Sequence, residues 1–511
     1  MYDIVLTADE SCMLNHEITF MGGFLSCMPR DRVPWLFRNY IERKIFKEAD
    51  TKDGISKLAL LSLRRVESCA LEEGFNVVVC NPRSIHKFKA KIFGVYAMDP
   101  LGVGPATTTM TSLSEGREPY NKYYFERLVK NIKKNNPKSK IILGGPAGWQ
   151  FKLFPAEAKR LKIDCIFSGE IENSAKELFT KALNGNLPKT FYGMPATNIP
   201  TIKNPCFWGM TEISRGCDRM CQFCDPSMKK FRWFGYDFIM KETEVNAKGI
   251  NSSVCLLSED VLRYGTRPGE WKPNKKVVKL VKTINKIAKK NKKSLSFTHC
   301  SLAAAASAPT IVSQISEELG LGKKKLIGVQ IGLETGSTKL IDIYMRNKAK
   351  PFNSKDWCDV AERGFQVLDE NNIIPFATLV VGLEKETDDD ILKTIELVER
   401  LKDYRSIILP LFFVPLGILK KRKFFNARGL SEVQKDLLIE CAKHTTRWGR
   451  KFSSWASESI SGLDRFVMHM GGMTLLEALN YLKRREEFDI LKLFKLLSKE
   501  VFNYFIHKSN Y

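Results

Sequence analysis

No run of this 511-residue chain is apolar for long enough to cross a bilayer. The longest, IILPLFFVPLGIL at 407–419, contains two prolines and is read as a buried strand and loop. No secretory leader is expected at the start. Thirteen cysteines then point to a reducing compartment, where thiols stay free for metal work. The expected location is cytoplasmic, with a position at the inner face of the membrane as the alternative. Acidic residues are scarce: 57 Asp and Glu against 81 Lys and Arg leave a net charge of +24. Such an excess favours anionic partners in general, whether RNA, phosphate head groups or anionic cofactors. The lysines are scattered along the whole chain, so compositional bias explains the charge equally well. With 44% hydrophobic and 27% charged residues the chain is globular, and its length suits two or three domains.

The chain also lacks a fourth ligand where one would close a metal site. EISRGCDRMCQFCDP (212–226) sets Cys217, Cys221 and Cys224 in a C-x3-C-x2-C spacing on a polar loop after an apolar run. Thiolates are soft ligands that suit zinc or iron–sulfur clusters. A closed structural zinc site needs four ligands, and the next Cys or His after the loop is Cys255. Three thiols fit better a [4Fe–4S] cluster with one iron left open for chemistry.

In residues 1–195, short β-rich runs alternate with helical stretches: IVLTA (4–8), FNVVVC (75–80), KIFGVYAM (91–98), KIILGG (140–145) and IDCIFSG (163–169). Helices are predicted over 56–74, stopped by Gly74, and over 123–135. This alternation predicts βαβ units and a parallel sheet buried on both faces, an α/β class of Rossmann-like type. Ligands of such sheets sit at the carboxyl ends of the strands. Asp99, Gly102, Gly104, Gly144, Gly145, Pro146, Ser168, Gly169 and Glu170 fall there. His16 and His86 have no partner motif and read as ordinary residues. Residues 186–211, rich in Pro, Asn and Thr, read as a linker.

The alternation returns in residues 196–430, with strands expected in 249–260, 294–300, 325–337 and 373–387 and a helix from Asp388. Strand, polar turn and helix in repetition predict a parallel barrel or partial barrel whose strand ends carry the chemistry. Ser258, Glu259 and Asp260 close one strand; the last two are acceptors suited to an ammonium group. Gly332 and Glu334 in GLETGS suit a ribose or amino-acid moiety. Residues 431–511 read as a helical region with Ser431 as N-cap and an apolar, lysine-rich surface; a cap on the barrel and a membrane-facing amphipathic surface are both open readings.

The cysteine spacing resembles the signature of the radical S-adenosylmethionine (SAM) enzymes. That resemblance implies that Cys217, Cys221 and Cys224 hold the cluster while the open iron binds SAM. It places Phe223 against the adenine and Ser258-Glu259-Asp260 at the SAM amino group. GLETGS (332–337) is similar to a turn of several subfamilies. VVGLEKET is similar to the Gly-Leu-Pro-Gly-Glu-Thr strand end, with Glu384-Lys385 in place of Pro-Gly. The first domain resembles the cobalamin-binding domain of one large branch, through GGP (144–146) and SGEIE (168–172). Leu101 stands where D-x-H-x-x-G cobalamin sites have His, so cobalamin would be held without a histidine on cobalt. MYDIVLTADES, DPLGVGPATTTMTSL (99–113) and PLFFVPLG (410–417) together resemble an archaeal group that includes tetraether-lipid ring synthases. The resemblance therefore implies modification of an unactivated carbon, with carbon–carbon ring formation in a membrane lipid at the membrane surface as the leading expectation. The alternatives are a cobalamin-dependent methyltransferase and a tRNA methylthiotransferase. The second is suggested by SCMLN (11–15) and the positive charge, but the helical tail gives no small RNA-gripping β-barrel, which leaves nucleic acid the less favoured partner. A ferredoxin or flavodoxin is the expected reductant.

Overall fold

The computed structural model describes residues 1–13, 25–33, 35–46 and 48–455. His16, part of SCMLN and the apolar tail from 456 onward, on which the membrane-surface reading leaned, lie outside the described residues. The chain divides into two compact units. One comprises Met1–Asp218, Asp225–Gly265 and Lys276–Thr298; the other comprises Arg219–Cys224, Thr266–Lys275 and the chain from His299.

In the first unit six strands form one sheet: β1 Tyr2–Ala8, β2 Val77–Val79, β3 Ala90–Tyr96, β4 Lys140–Gly144, β5 Cys165–Ser168 and β6 Thr190–Tyr192. Their order is β2-β1-β3-β4-β5-β6 and every pairing is parallel. Successive side chains alternate between two cores. Ile4, Leu6, Ile92 and Ile142 face one; Val5, Phe93, Val95, Ile141 and Leu143 face the other. Apolar residues on both faces are what a sheet covered on both sides by helices requires. The order reverses between β1 and β3, which places the ligand crevice of a doubly wound sheet at their carboxyl ends.

Two expectations need correction here. The stretch 186–211 is not all linker, because Thr190–Tyr192 pairs with β5 and Phe191 stacks on Phe167 with ring centroids 6.1 Å apart. A three-residue edge strand is too short to show a hydrophobic period. The helix expected from residue 56 starts only at Leu61, because Ile55–Ser56 pairs with Thr51–Lys52 in a short hairpin.

The same unit holds a second parallel sheet of β7 Met210–Glu212, β8 Ser253–Leu257 and β9 Ser294–Phe297, in the order β9-β8-β7. The other unit holds β10 Ile327–Glu334, β11 Ile373–Val381 and β12 Ile407–Phe412, again parallel and in sequence order. The α/β class and the parallel sheets therefore agree with the sequence. The expected helical C-terminal region begins with Glu432–Trp455. Ser431 caps it: its Oγ accepts from the Gln434 amide, and the Gln434 side chain accepts from the Ser431 amide. Trp448 of this helix packs on Ile374 and Ile407. Among the described residues no helix is long and apolar enough to cross a membrane.

Candidate iron–sulfur and cofactor site

The cysteine loop follows β7. In the first unit its base is clasped by a short antiparallel pairing, Ser214 with Trp233 and Arg215 with Arg232. Gly216 opens the loop at φ +75, where a Cβ would lie 2.6 Å from the Lys229 carbonyl oxygen, so only glycine fits. The Cys217 amide donates to Pro226 O at 3.1 Å. Beside it, Arg263 forks onto both oxygens of Asp218 at 2.7 and 2.9 Å. Arg263 is 1% exposed, so this fork is a fixed strut and not a surface pair.

Residues 219–224 belong to the second unit, and there the loop is anchored differently. Cys221 forms a backbone bridge with Met345, and the Gln222 amide donates to Tyr344 O at 2.8 Å. Arg219 Nη1 reaches the carbonyls of Asn347, Lys348 and Lys350, while Nη2 donates to Ser301 Oγ at 2.6 Å. Gly417, at φ +59, backs onto Gln222 O and the Cys224 amide, which leaves no room for a side chain. Cys221 is buried, whereas Cys217, Phe223 and Cys224 are partly exposed. Burial pushes the Cys221 thiol up, and the Lys348 ammonium opposes that shift.

The other expected SAM contacts divide by environment. Ser258 is committed internally: its Oγ lies 2.6 Å from Ser214 Oγ and accepts from the Asp260 amide. Asp260 is buried with Arg263 in its field, and Glu259 is exposed. Glu334 ion-pairs with Lys348 at 2.9 Å. Ser337 of GLETGS caps the helix Thr338–Tyr344. The turn after β11 closes in spite of Glu384-Lys385, because Glu386 accepts from the Gly382 amide at 2.7 Å. Thr387 and Asp390 then form a capping box. Burial raises the Glu386 carboxyl to about 7.

At the strand ends of the first sheet the chain consumes most of the expected cofactor contacts itself. The Asp99 carboxylate accepts from the Val103 and Gly104 amides, Gln150, Thr107 and Asn121. It builds the 99–107 turn instead of offering a free acceptor. A Cβ on Gly145 would lie 2.7 Å from Ala97 O, and one on Gly169 2.2 Å from Gly193 O; a Cβ on Gly144 would meet open space. Ser168 packs against Gly148. Leu101 is buried in the core, with no donor atom to offer a metal. Glu170 accepts from the Ala196 amide and pairs with Arg215 at 2.9 Å and with Arg232. Burial alone would raise its carboxyl, but those three donors hold it below the ordinary glutamate value. Arg215 also pairs with Glu172 and Glu212, each at 2.6 Å.

These ion pairs are what sequence reasoning missed. SGEIE carries two of the three carboxylates that grip Arg215, two residues before Cys217, so it ties the first sheet to the cysteine loop. The signal lay in the charged residues between recognised positions: Arg215 lies two residues before Cys217 and Asp218 directly after it. An open groove of about 940 Å³, lined by Arg117, Lys122, Arg127, Lys130 and Arg160 among others, contains none of the candidate residues.

Among the described residues, no three His, Cys, Asp or Glu side chains converge on a single ion. A [4Fe–4S] cluster makes no such demand, since each thiolate binds its own iron. Three cysteines within eight residues, none in a disulfide and with no fourth cysteine on the loop, fit that donor set.

Residues 211–398 match the sequence model of the Radical SAM superfamily. They form a radical SAM domain, an enzyme domain whose cofactors are SAM and a [4Fe–4S] cluster. The chain is 22% identical over 364 residues to threonylcarbamoyladenosine tRNA methylthiotransferase MtaB of Thermotoga maritima, covering 67% of this chain and 78% of that protein. It is 22% identical over 281 residues to tRNA-2-methylthio-N(6)-dimethylallyladenosine synthase of Syntrophomonas wolfei, covering 54% of this chain and 59% of that protein. In fold it is similar to the radical SAM methyltransferase TsrM of Kitasatospora setae, solved with cobalamin and a [4Fe–4S] cluster bound. That match has a TM-score of 0.51 at 12% identity and covers 82% of this chain and 77% of TsrM.

Proposed function

We propose that this protein cleaves SAM reductively at a [4Fe–4S] cluster on Cys217, Cys221 and Cys224 and uses the product to modify an unactivated carbon. The observation that carries the proposal is the three-thiol loop at the carboxyl end of β7, with Asp218 held by Arg263 and residues 219–224 held by Arg219. A cluster with SAM supplies, when bound, a 5′-deoxyadenosyl radical that takes hydrogen from carbons no acid or base activates. The chain's own part is to hold the thiols and to offer Glu259 to the SAM ammonium.

The finer reading is carbon–carbon ring formation in a saturated membrane lipid, supported by the fit of radical chemistry to inert chains and by the +24 charge, which suits phosphate head groups. The second reading is methyl transfer through cobalamin. It is favoured by the six-stranded β2-β1-β3-β4-β5-β6 order with its crevice at β1 and β3 and by open space at Gly144. A tRNA substrate is the third reading, supported by the +24 charge and by the relatives' names. A low-potential one-electron carrier such as ferredoxin or flavodoxin is the expected partner. The test is anaerobic incubation with SAM, reductant and either extracted lipids or tRNA, with cobalamin added or withheld, read by product mass. Loss of a hydrogen pair from lipid supports ring formation, and gain of a methyl mass dependent on cobalamin supports transfer. A tRNA that gains a methylthio mass with lipid untouched overturns both, and no 5′-deoxyadenosine in any arm sinks the radical reading.

A further inference from the structure

The second unit buries a lysine that no cap or turn requires. Lys348 is 8% exposed, and a buried ammonium is costly unless it is paired. Its Nζ lies 2.9 Å from Glu334 Oε1 and has three protons to offer, of which Glu334 takes one. The backbone is shaped around this pair. Glu334 adopts φ +67, the left-handed region a non-glycine residue rarely enters, at an irregularity in the β10–β11 register. A Cβ on Gly332 would lie 1.9 Å from Glu334 Oε1 and 2.5 Å from Lys348 Nζ, so the pair occupies the space a side chain at 332 would take.

The segment that carries Lys348 is also the one that holds Cys221. Met345 bridges Cys221, the Lys348 amide donates to Met345 O at 2.8 Å, and Arg219 grips Lys348 O at 2.9 Å. Lys348 thus sits in the short turn, 345–348, whose backbone pairs with Cys221. The potential of an iron–sulfur cluster depends on nearby charge, hydrogen bonds to sulfur and exposure, and charges in a buried setting are weakly screened. We propose that Lys348 and Glu334 are opposed positioning charges that set how readily the cluster on Cys221 accepts an electron. Lys348 favours the reduced, more negative state, and Glu334 opposes it. The inference rests on the cluster reading above.

The experiment reconstitutes the full-length wild type, Lys348→Met, Lys348→Arg, Glu334→Gln and the Lys348→Met/Glu334→Gln double variant anaerobically. Midpoint potentials are read by electron paramagnetic resonance during dithionite titration, with thermal melts of each apoprotein alongside. Lys348→Met is expected to make reduction roughly tenfold less favourable, about 59 mV more negative for one electron. Glu334→Gln is expected to shift it the opposite way, with Lys348→Arg close to wild type and the double variant between the single ones. Lys348→Met leaves Glu334 buried alone and will also melt lower, which is why the sign of the Glu334→Gln shift decides the matter. Two single variants that shift the potential in the same direction, or that lower only the melting temperature, overturn the proposal. A wild type that holds no iron removes the cluster reading and this inference with it.

Discussion

The carboxyl ends of β1 to β5 and those of β7 and β8 both carry the glycines, serines and carboxylates of a cofactor site, yet they use them in opposite ways. At the first sheet, Asp99 takes three donors from its own turn and two more from Asn121 and Gln150, and Gly145 and Gly169 make room for backbone carbonyls of the chain. At the second, Cys217 and Glu259 remain accessible, while the residues around them are held from beneath by Arg215 and Arg263. A polar residue at a strand end is available to a ligand only when the chain has not already supplied its partners. The first sheet builds its turns with such residues, and the second spends its ion pairs on presenting a loop.

The largest effect should come from the thiols. Replacing Cys217, Cys221 and Cys224 by Ala is expected to abolish bound iron and 5′-deoxyadenosine formation while leaving the apoprotein folded, as judged by circular dichroism. Full iron content in that variant would break the contrast outright. Next, Arg215→Met leaves Glu170, Glu172 and Glu212 without their shared cation and should cost roughly 3–5 kcal/mol in urea unfolding. The corresponding change at the first sheet, Asp99→Asn, should cost about 1–3 kcal/mol and leave iron content untouched. Lost iron in Asp99→Asn would mean that the two sets of strand ends are not separate in role.

An effect of similar size is expected from pH. Burial raises the Asp9 carboxyl, at the end of β1, from 3.8 to about 6. The folded state therefore keeps a proton that the unfolded state releases, so Asp9 costs stability as pH rises from about 4 to about 6, by roughly 3 kcal/mol. Asp9→Asn should flatten the unfolding free energy across that window, and an unchanged pH profile would show the crevice there to be wet. The smallest change is expected of Glu259→Gln, about a tenfold loss of SAM affinity by equilibrium dialysis with normal stability. Unaltered affinity would move the ammonium acceptor elsewhere.

The strands were legible because parallel sheets demand unbroken apolar runs: VVV, KIILG and IGVQIGLE stand out against lysine-rich surroundings. The cysteine loop was legible because metal ligation fixes spacing along the chain. Thr190–Tyr192 was not, since three residues carry no period. Nor was the fate of Asp99 or Glu170. A carboxylate beside a glycine turn looks the same in sequence whether it meets a ligand or an amide a few residues on. Glu170 with Arg215 and Arg65 with Glu242 are contacts across many residues of chain, and only the fold brings such partners together. The tail, on which the lipid reading leaned, lies outside the described residues.

The absent methyl at Gly332 bears on how this protein can change over generations. Any larger residue there occupies the space of the Glu334 carboxylate and the Lys348 ammonium at once. A lineage that alters position 332 must therefore give up or rearrange 334 and 348 in concert. A single replacement leaves an unpaired charge in the interior or an overlap of atoms, costs large against the few kcal/mol that keep a domain folded. The three positions are expected to be inherited as a block, glycine, acid and base together or all replaced, and a set of relatives in which they vary independently would show that the three are not coupled.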